Sequence, residues 1–361
     1  MGGSLVSILM PAYNADKWIG DAIGSAVAQT WKRKEIIIVD DGSTDQTLRV
    51  ARQFESESVR VVTQKNQGAA AARNRAFTLS QGDYIQWLDA DDLLAPDKIA
   101  RQIHALGQGL SKRTLLSSEW AQFFYRCHRA EFTPTALWSD LSPREWLLRK
   151  MGLNLHMQTA TWLVSRDLAE AAGPWDTGLL GDDDGEYFCR VLLASDGVRF
   201  VPDAKVYYRA SGGSSLSYIG QSERKMVSQW KSMELHIGYL RSLEDSDRVR
   251  AACVRYLQNW LMCFYPERPD LVKKAEDMAR ELGGHLEVPR FSWKYSWIEA
   301  IFGRRLARRA QVYLPRLKWS LVRSWDKALF HMENRRVAGT LGTQRRRPSR
   351  SSSFLQPDEK T

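Results

Sequence analysis

Short apolar runs and helical repeats alternate along the first hundred residues. Val6–Met10 is an apolar run that stops at Pro11, and Trp18–Gln29 carries apolar residues at helical spacing. Glu35–Asp40 (Glu-Ile-Ile-Ile-Val-Asp) is a β-branched run of the kind buried on both faces of a parallel sheet. Gln46–Phe54 then predicts a helix, Val59–Thr63 a strand, Gly68–Leu79 an Ala-rich helix and Tyr84–Leu88 a strand. Strands that alternate with helices of this length form βαβ units, so the pattern predicts an α/β fold with a mostly parallel sheet flanked by helices.

From Thr114 to Arg209 the pattern is mixed. Strands are expected near Leu115–Tyr125, Ala160–Val164 and Val198–Val206, and helices near Pro143–Met151 and Asp183–Ala194. The Gly-Ser stretch Ser211–Ser217 reads as a closing loop. From about Gln221 only helical patterns remain, which predicts a C-terminal helical extension. Leu317, Leu321, Trp325, Leu329 and Met332 form an amphipathic stripe opposite Arg323 and Lys327. Ile298–Leu314 is less regular, because Arg305 and Arg309 fall within its apolar sector. The expected division is a catalytic unit over 1–217, a helical extension over 218–300, basic amphipathic helices over 301–342 and a disordered basic and Ser-rich tail over 343–361.

Composition changes this picture in one respect. The 361 residues carry a net charge of +10, but residues 1–220 are slightly acidic (24 Lys+Arg, 26 Asp+Glu) and residues 221–361 strongly basic (28 against 16). The length is ample for a large enzyme core. The four cysteines show no C-x-x-C pair, which argues against a zinc module or a disulfide scaffold and suits a reducing compartment. The N-terminus shows no signal peptide, and no apolar run is long enough to span a bilayer. The expected location is the cytoplasm, in solution or peripherally on the inner face of the membrane.

Carboxylates gather at three chain-distant places. Asp40-Asp41-Gly42-Ser43-Thr44-Asp45 follows the Ile-Ile-Ile-Val strand, at the carboxyl edge where open α/β sheets bind ligands. A plain strand-to-helix turn would use the same residue types. Asp89-Ala90-Asp91-Asp92 follows the next strand, where alternate carboxylates can reach a hard divalent cation, although an acidic turn before a helix also fits. Gly181-Asp182-Asp183-Asp184-Gly185-Glu186 opens a helix. The helix dipole accounts for one or two of these acids, and one of them could serve as a general base.

With these three clusters stand Pro11-Ala12-Tyr13-Asn14, then Asn66-Gln67-Gly68 with Ala72-Arg73-Asn74, then Gly173-Pro174-Trp175-Asp176 ahead of Gly181–Arg190, and Val206-Tyr207-Tyr208-Arg209 ahead of Gly212–Ser217. In this order and spacing, over about residues 4–217, the chain resembles the family 2 glycosyltransferases of GT-A fold. The resemblance implies inverting transfer of a sugar from a nucleotide-sugar to an acceptor hydroxyl with Mg²⁺ or Mn²⁺. It implies further that Pro11, Tyr13 and Asp41 line the nucleoside pocket and that Arg73 contacts the donor phosphate or the base-proximal loop. Asp89 and Asp91 would be the D-x-D pair, with Asp89 near the ribose and Asp91 on the metal. Asp184 would be the general base, with Asp183 beside it where relatives usually have Glu. A UDP-sugar is the favoured donor, with dTDP or GDP also open, and the acceptor would be a glycan or lipid-linked glycan of cell-surface polysaccharide or glycoconjugate biosynthesis.

Two departures bear on this. Many relatives carry Tyr-Arg-x-His where this chain reads Tyr208-Arg209-Ala210-Ser211, so the third metal ligand is water or absent. The Q-x-x-R-W motif and membrane helices of processive synthases are missing, which favours single addition. A nucleotidyl- or phospho-transferase on the same crevice, and an inactive nucleotide- or glycan-binding module, are the rival functions. The six histidines lack ligand spacing. Trp162 and Trp175 fit either core packing or stacking on an acceptor sugar. Residues 301–350 hold 14 Lys+Arg and two acids, Asp326 and Glu333. This region either attaches to an anionic membrane surface or packs Leu317, Leu321 and Trp325 on the catalytic unit; nucleic acid is disfavoured, since no reading motif accompanies the charge.

Overall fold

The computed structural model describes residues 3–107, 109–211, 222–265, 267–289 and 292–344. The elements β1 (Val6–Ala12), α1 (Ile19–Val27), β2 (Lys34–Asp40), α2 (Thr47–Arg52), β3 (Val59–Thr63), α3 (Ala69–Leu79) and β4 (Tyr84–Trp87) alternate as the pattern requires. They are followed by β5 (Leu93–Leu94), α4 (Lys98–Leu106), β6 (Thr114–Phe123), α5 (Pro143–Gly152), β7 (Val164–Ser165), α6 (Arg166–Ala172), α7 (Asp183–Ala194) and β8 (Gly197–Arg209). The main sheet has the order β3-β2-β1-β4-β7, parallel throughout except for the antiparallel edge strand β7.

The two-residue period of the strands sorts their side chains onto two cores. Val6, Ile8 and Met10 of β1 join Ile36 and Ile38 of β2 on the face covered by Ile19 and Ile23 of α1 and Ile99 of α4. Leu9, Ile37 and Val39 point to the opposite face, with Trp87 of β4 and Ala72 and Ala76 of α3. Each fully buried aliphatic contributes about 1.5–3 kcal/mol relative to an exposed one, so a sheet covered on both faces is the stable outcome for these runs.

A second sheet, β5-β8-β6, supplies the far wall of the carboxyl edge. Leu93 and Leu94 pair with Tyr207 and Val206, which fixes the turn after β4 against the C-terminal end of β8. The apolar run at 160–164 departs from expectation: it forms a 3₁₀ turn, Thr159–Thr161, before the two-residue β7. Its first carbonyls are satisfied by side chains, with Gln86 Nε2 donating to Ala160 O (2.8 Å) and Gln102 Nε2 to Thr161 O (2.9 Å), and pairing with a strand begins only at Leu163, which bridges to Leu116 of β6. A strand ladder is therefore not needed there. Helix α6 and the short β5 were not anticipated.

The C-terminal helices are α8 (Glu223–Leu243), α9 (Asp247–Phe264), α10 (Pro269–Glu281), α11 (Trp293–Phe302) and α12 (Arg304–Gln344). Trp230, Met233 and Ile237 of α8 and Leu257 and Phe264 of α9 belong to the same core as Trp87, Trp162 and Tyr187. The expected loop at 211–217 and tail at 343–361 lie outside the described residues, apart from Ser211 and residues 343–344. Helix α12 runs unbroken through Pro315. Leu317, Leu321 and Trp325, expected to pack if the helix docks by its apolar stripe, are exposed. Among the described residues, no helix is long and apolar enough to cross a membrane.

Candidate active site

The carboxyl ends of β1, β2 and β4 open side by side, and their loops are tied to one another. Asp41 N donates to Ala12 O (2.8 Å), Asn14 N to Ser43 Oγ (3.0 Å) and Thr44 N to Asn14 Oδ1 (2.8 Å). Pro11 lies buried in β1, opposite Val39, while Tyr13 at the strand's end is 51% exposed and available as a platform. Asp41 is buried, and its carboxylate accepts from Gln64 Nε2 (2.7 Å), Gln67 N (3.0 Å) and Gly68 N (2.8 Å). It thus fixes the Asn66-Gln67-Gly68 turn. Gly42 has φ +73°, and a Cβ there would stand 2.9 Å from Asn66 N, so the close approach of the two loops requires glycine. Asp40 Oδ1 is buried without a hydrogen-bond partner.

Arg73, on α3, joins an acid of the turn after β4 to the acid that opens α7. Its guanidinium donates to Asp89 Oδ1 and to Asp183 Oδ2, each at 2.8 Å, and lies 4.4 Å from the centre of the Trp175 ring. Trp175 in turn stacks on Tyr187 at 4.2 Å. Burial alone would lower the Arg73 pKa, but the charges of Asp89 and Asp183 offset this and raise it. The same arrangement acts on Asp183. Burial pushes its carboxyl up to about 6 against the pull of Arg73, and the charges of Asp184 and Asp89 push the same way. Asp184, one residue on in the first turn of α7, accepts from Thr159 Oγ1 (3.1 Å).

Arg209, at the end of β8, organises the turn after β4. Its backbone N donates to Asp92 Oδ1 (2.8 Å) and its Nε to Asp91 O (2.8 Å), and its guanidinium lies between the rings of Trp18 (4.4 Å) and Phe123 (4.6 Å). Gln158 donates to the other oxygen of the fully buried Asp92. Burial and the neighbouring carboxylates raise the Asp92 pKa well above its ordinary value. Asp91 is raised too, first by burial and then by the charge of Asp89, while the Ser211 hydroxyl bonded to it acts the other way. Ser211 therefore lies against Asp91.

Among the described residues, no group of three or more His, Cys, Asp or Glu side chains is arranged to hold a metal ion. The donor chemistry still fits Mg²⁺ or Mn²⁺. The charge of Asp89 adds to the cost of ionising Asp91, which a hard cation relieves, and such ions commonly take one or two carboxylates and complete their shell with phosphate oxygens and water.

Behind the Asp183–Asp184 pair lies a polar cluster absent from the sequence reading. Asp182 has a left-handed backbone (φ +55°), and its Oδ2 accepts from Ser232 Oγ (2.7 Å) and Gln229 Nε2 (3.2 Å) of α8. His236 completes the cluster. It is fully buried, with Nδ1 2.9 Å from Tyr256 Oη and Nε2 3.4 Å from Ser232 Oγ. Burial drives its pKa well down, so the ring is neutral. A Cβ on Gly185 would stand 2.1 Å from Asp182 Oδ1, so a larger residue there would push the Asp182 carboxylate off its place beside Ser232 and Gln229. The spacing of Gln229, Ser232 and His236 on one helical face, between Trp230, Met233 and Ile237, was the available signal. Trp162 and Trp175 are both buried and serve the core.

Comparison with known proteins bears on the same region. Residues 7–163 match the family model "Glycosyl transferase family 2". Chondroitin synthase of Escherichia coli is 46% identical over 97 residues, covering 26% of this chain and 14% of that protein. The putative teichuronic acid biosynthesis glycosyltransferase TuaG of Bacillus subtilis is 43% identical over 102 residues, covering 27% and 40%. An uncharacterised glycosyltransferase of Haemophilus influenzae is 40% identical over 111 residues, covering 30% and 44%. The chain thus spans less than half the length of these relatives. The structure of S. aureus TarS 1–349 in complex with UDP-GlcNAc superposes with a TM-score of 0.62 at 16% identity, over 85% of this chain and 91% of that one, and shares the fold.

Proposed function

We propose, from the match of residues 7–163 to the model of glycosyl transferase family 2 and the fold shared with TarS, that the protein is an inverting glycosyltransferase of GT-A fold that moves a single sugar from a nucleotide-sugar to an acceptor hydroxyl. The observation that carries this reading is Arg73, which holds Asp89 and Asp183 at 2.8 Å each and so draws the donor-side and helix-side acids to one centre. Attack from the face opposite the nucleoside diphosphate needs a base on one side of the anomeric carbon and charge neutralisation on the other.

In this mechanism Tyr13 and Pro11 border the nucleoside, and Asp41 shapes its pocket through the 64–68 loop. Asp184, oriented by Thr159, takes the proton of the acceptor hydroxyl as the oxygen attacks. Asp183 stays paired with Arg73, which keeps the guanidinium in place beside the donor phosphates. Asp89 and Asp91 would hold Mg²⁺ or Mn²⁺, which when bound neutralises charge on the departing diphosphate. A UDP-sugar is the favoured donor, supported by the UDP-GlcNAc complex of TarS, with dTDP- and GDP-sugars as alternatives. Relatives named for chondroitin and teichuronic acid synthesis support a glycan or lipid-linked glycan acceptor in surface-polysaccharide assembly, reached in the cytoplasm from a peripheral position on the membrane. Nucleotidyl or phosphoryl transfer would leave Asp184 without a task.

The test is a screen of nucleotide-sugars for thermal stabilisation and slow hydrolysis, with and without Mn²⁺. One donor class should stabilise the protein in a metal-dependent way. Stabilisation by nucleoside triphosphates alone would sink the reading.

A further inference from the structure

Helix α12 presents two opposed sides. One faces the catalytic unit. Trp319 meets Phe124 (5.8 Å), Arg323 donates to Ser211 O (2.8 Å), Asp326 accepts from Arg126 Nε (2.7 Å) and Tyr125 N (3.0 Å), Phe330 meets Tyr125 (6.1 Å), and Glu333 pairs with Arg126 (3.0 Å). At about 100° per residue, Leu314, Leu317, Leu321, Trp325 and Met332 fall on the reverse side. That side is open: Leu317 is 62%, Leu321 73% and Trp325 68% exposed. The neighbouring α11 adds Trp293, Trp297, Ile301 and Phe302, all exposed. The helix is thus attached by its polar and aromatic side, and its apolar stripe is left bare.

Arg323 and Lys327 face the catalytic unit, against Ser211 and Tyr125, and the remaining charge of this region argues for what covers the stripe. Residues 301–350 carry 14 cations, and both of their acids are bound to Arg126 on the inner side. Lys318 and Arg309 are exposed. A second copy of this chain would set like charges against each other, whereas an anionic bilayer satisfies cations and apolar groups together. From Leu314 to Met332 the stripe extends roughly 27 Å, the length of a helix lying in the interface plane. We propose that the outer face of α11 and α12 docks on an anionic membrane surface, with Leu317, Leu321 and Trp325 in the headgroup–acyl boundary. The inner face then ties that surface to the crevice in two steps, because Arg323 holds Ser211 and the Ser211 hydroxyl holds Asp91. A lipid-linked acceptor follows if the transfer reading holds; the docking itself does not depend on it.

Flotation of the full chain with vesicles of neutral lipid, and with vesicles containing an anionic lipid, tests the proposal. The chain should float with anionic vesicles, lose this at high salt, and float poorly with neutral ones. The variant Leu317→Glu/Leu321→Glu/Trp325→Glu should lose at least about tenfold in the floated fraction. Its melting temperature and donor hydrolysis should stay unchanged, since none of the three residues touches the core. Equal flotation of the variant, or no flotation of the parent at low salt, overturns the proposal. So does a parent dimer that the variant abolishes without any lipid binding, which would assign the face to a second copy.

Discussion

Arg73 and Arg209 are buried in the crevice among Asp89, Asp91, Asp92 and Asp183, whereas on α12 the two acids are the minority species, both bound to Arg126, and Lys318 and Arg309 stand exposed. In the crevice Arg73 and Arg209 meet named partners at fixed distances, as reaction chemistry demands. On the helix, cations and exposed apolar side chains suit a fluid partner that needs no fixed geometry. The two arginines repeat the contrast on a smaller scale. Arg73 is raised by carboxylates despite burial, while Arg209, between two aromatic rings and bonded largely to backbone, is lowered by burial despite Asp21 and Asp91. Equal residue types therefore do unequal work: one neutralises acids, the other holds a turn.

Substitutions in the two regions should separate by orders of magnitude. The largest effect is expected at the proposed base. Asp184→Asn should lower turnover by roughly two to four orders of magnitude and leave donor binding largely intact. Asp91→Ala should weaken metal-dependent donor binding by roughly a hundredfold, read by calorimetry with and without Mn²⁺. If both variants keep parental behaviour while α12 variants lose turnover, the chemistry has been assigned to the wrong region. A smaller effect tests the support behind the base. Ser232→Ala removes the strongest hydrogen bond to Asp182 and should cost about tenfold in kcat with KM little changed. Ser232→Thr, which keeps the hydroxyl, should restore part of it. A loss of melting temperature with kcat untouched would make Ser232 a packing residue only.

The apolar periodicity was readable in both regions but meant different things. In β1 and β2 it demanded burial on two faces, and the two cores supply that. On α12 the same kind of stripe was legible, yet which side meets the protein was decided by Asp326 and Glu333, whose partner Arg126 lies some 200 residues away in the chain. The carboxylate clusters were visible because each follows a strand or opens a helix. Arg73's double pairing was hidden, since it depends on α3, the turn after β4 and the start of α7 converging. The Asp182–Ser232–His236 cluster was hidden for the same reason, with its polar side chains spaced among the core residues of a helix. The strand-like run at 160–164 misled because side chains bond the carbonyls of Ala160 and Thr161, and pairing with neighbouring strands begins only at Leu163.

The finest distinction between the two regions lies in how acid affects stability. Asp183 sits above its ordinary value of 3.8, at about 6, so the folded protein holds a proton that the unfolded chain has already released. Its contribution to stability therefore falls as pH rises from about 4 to 6 and is level beyond. Asp326 sits below 3.8: burial opposes ionisation, but the hydrogen bonds from Arg126 and from the Tyr125 and Arg126 amides outweigh it. Its contribution is complete at neutral pH and is lost as pH falls below about 4. Denaturant midpoints measured across pH 3–8 for the parent, Asp183→Asn and Asp326→Asn should show this opposition. Asp183→Asn should gain on the parent as pH rises through 4–6, even though Arg73 loses one of its two partners. Asp326→Asn should trail the parent at neutral pH and draw level in acid. Parallel curves for both variants would mean that the crevice acid is not held above its ordinary value and that the latch of α12 carries no charge-dependent stability.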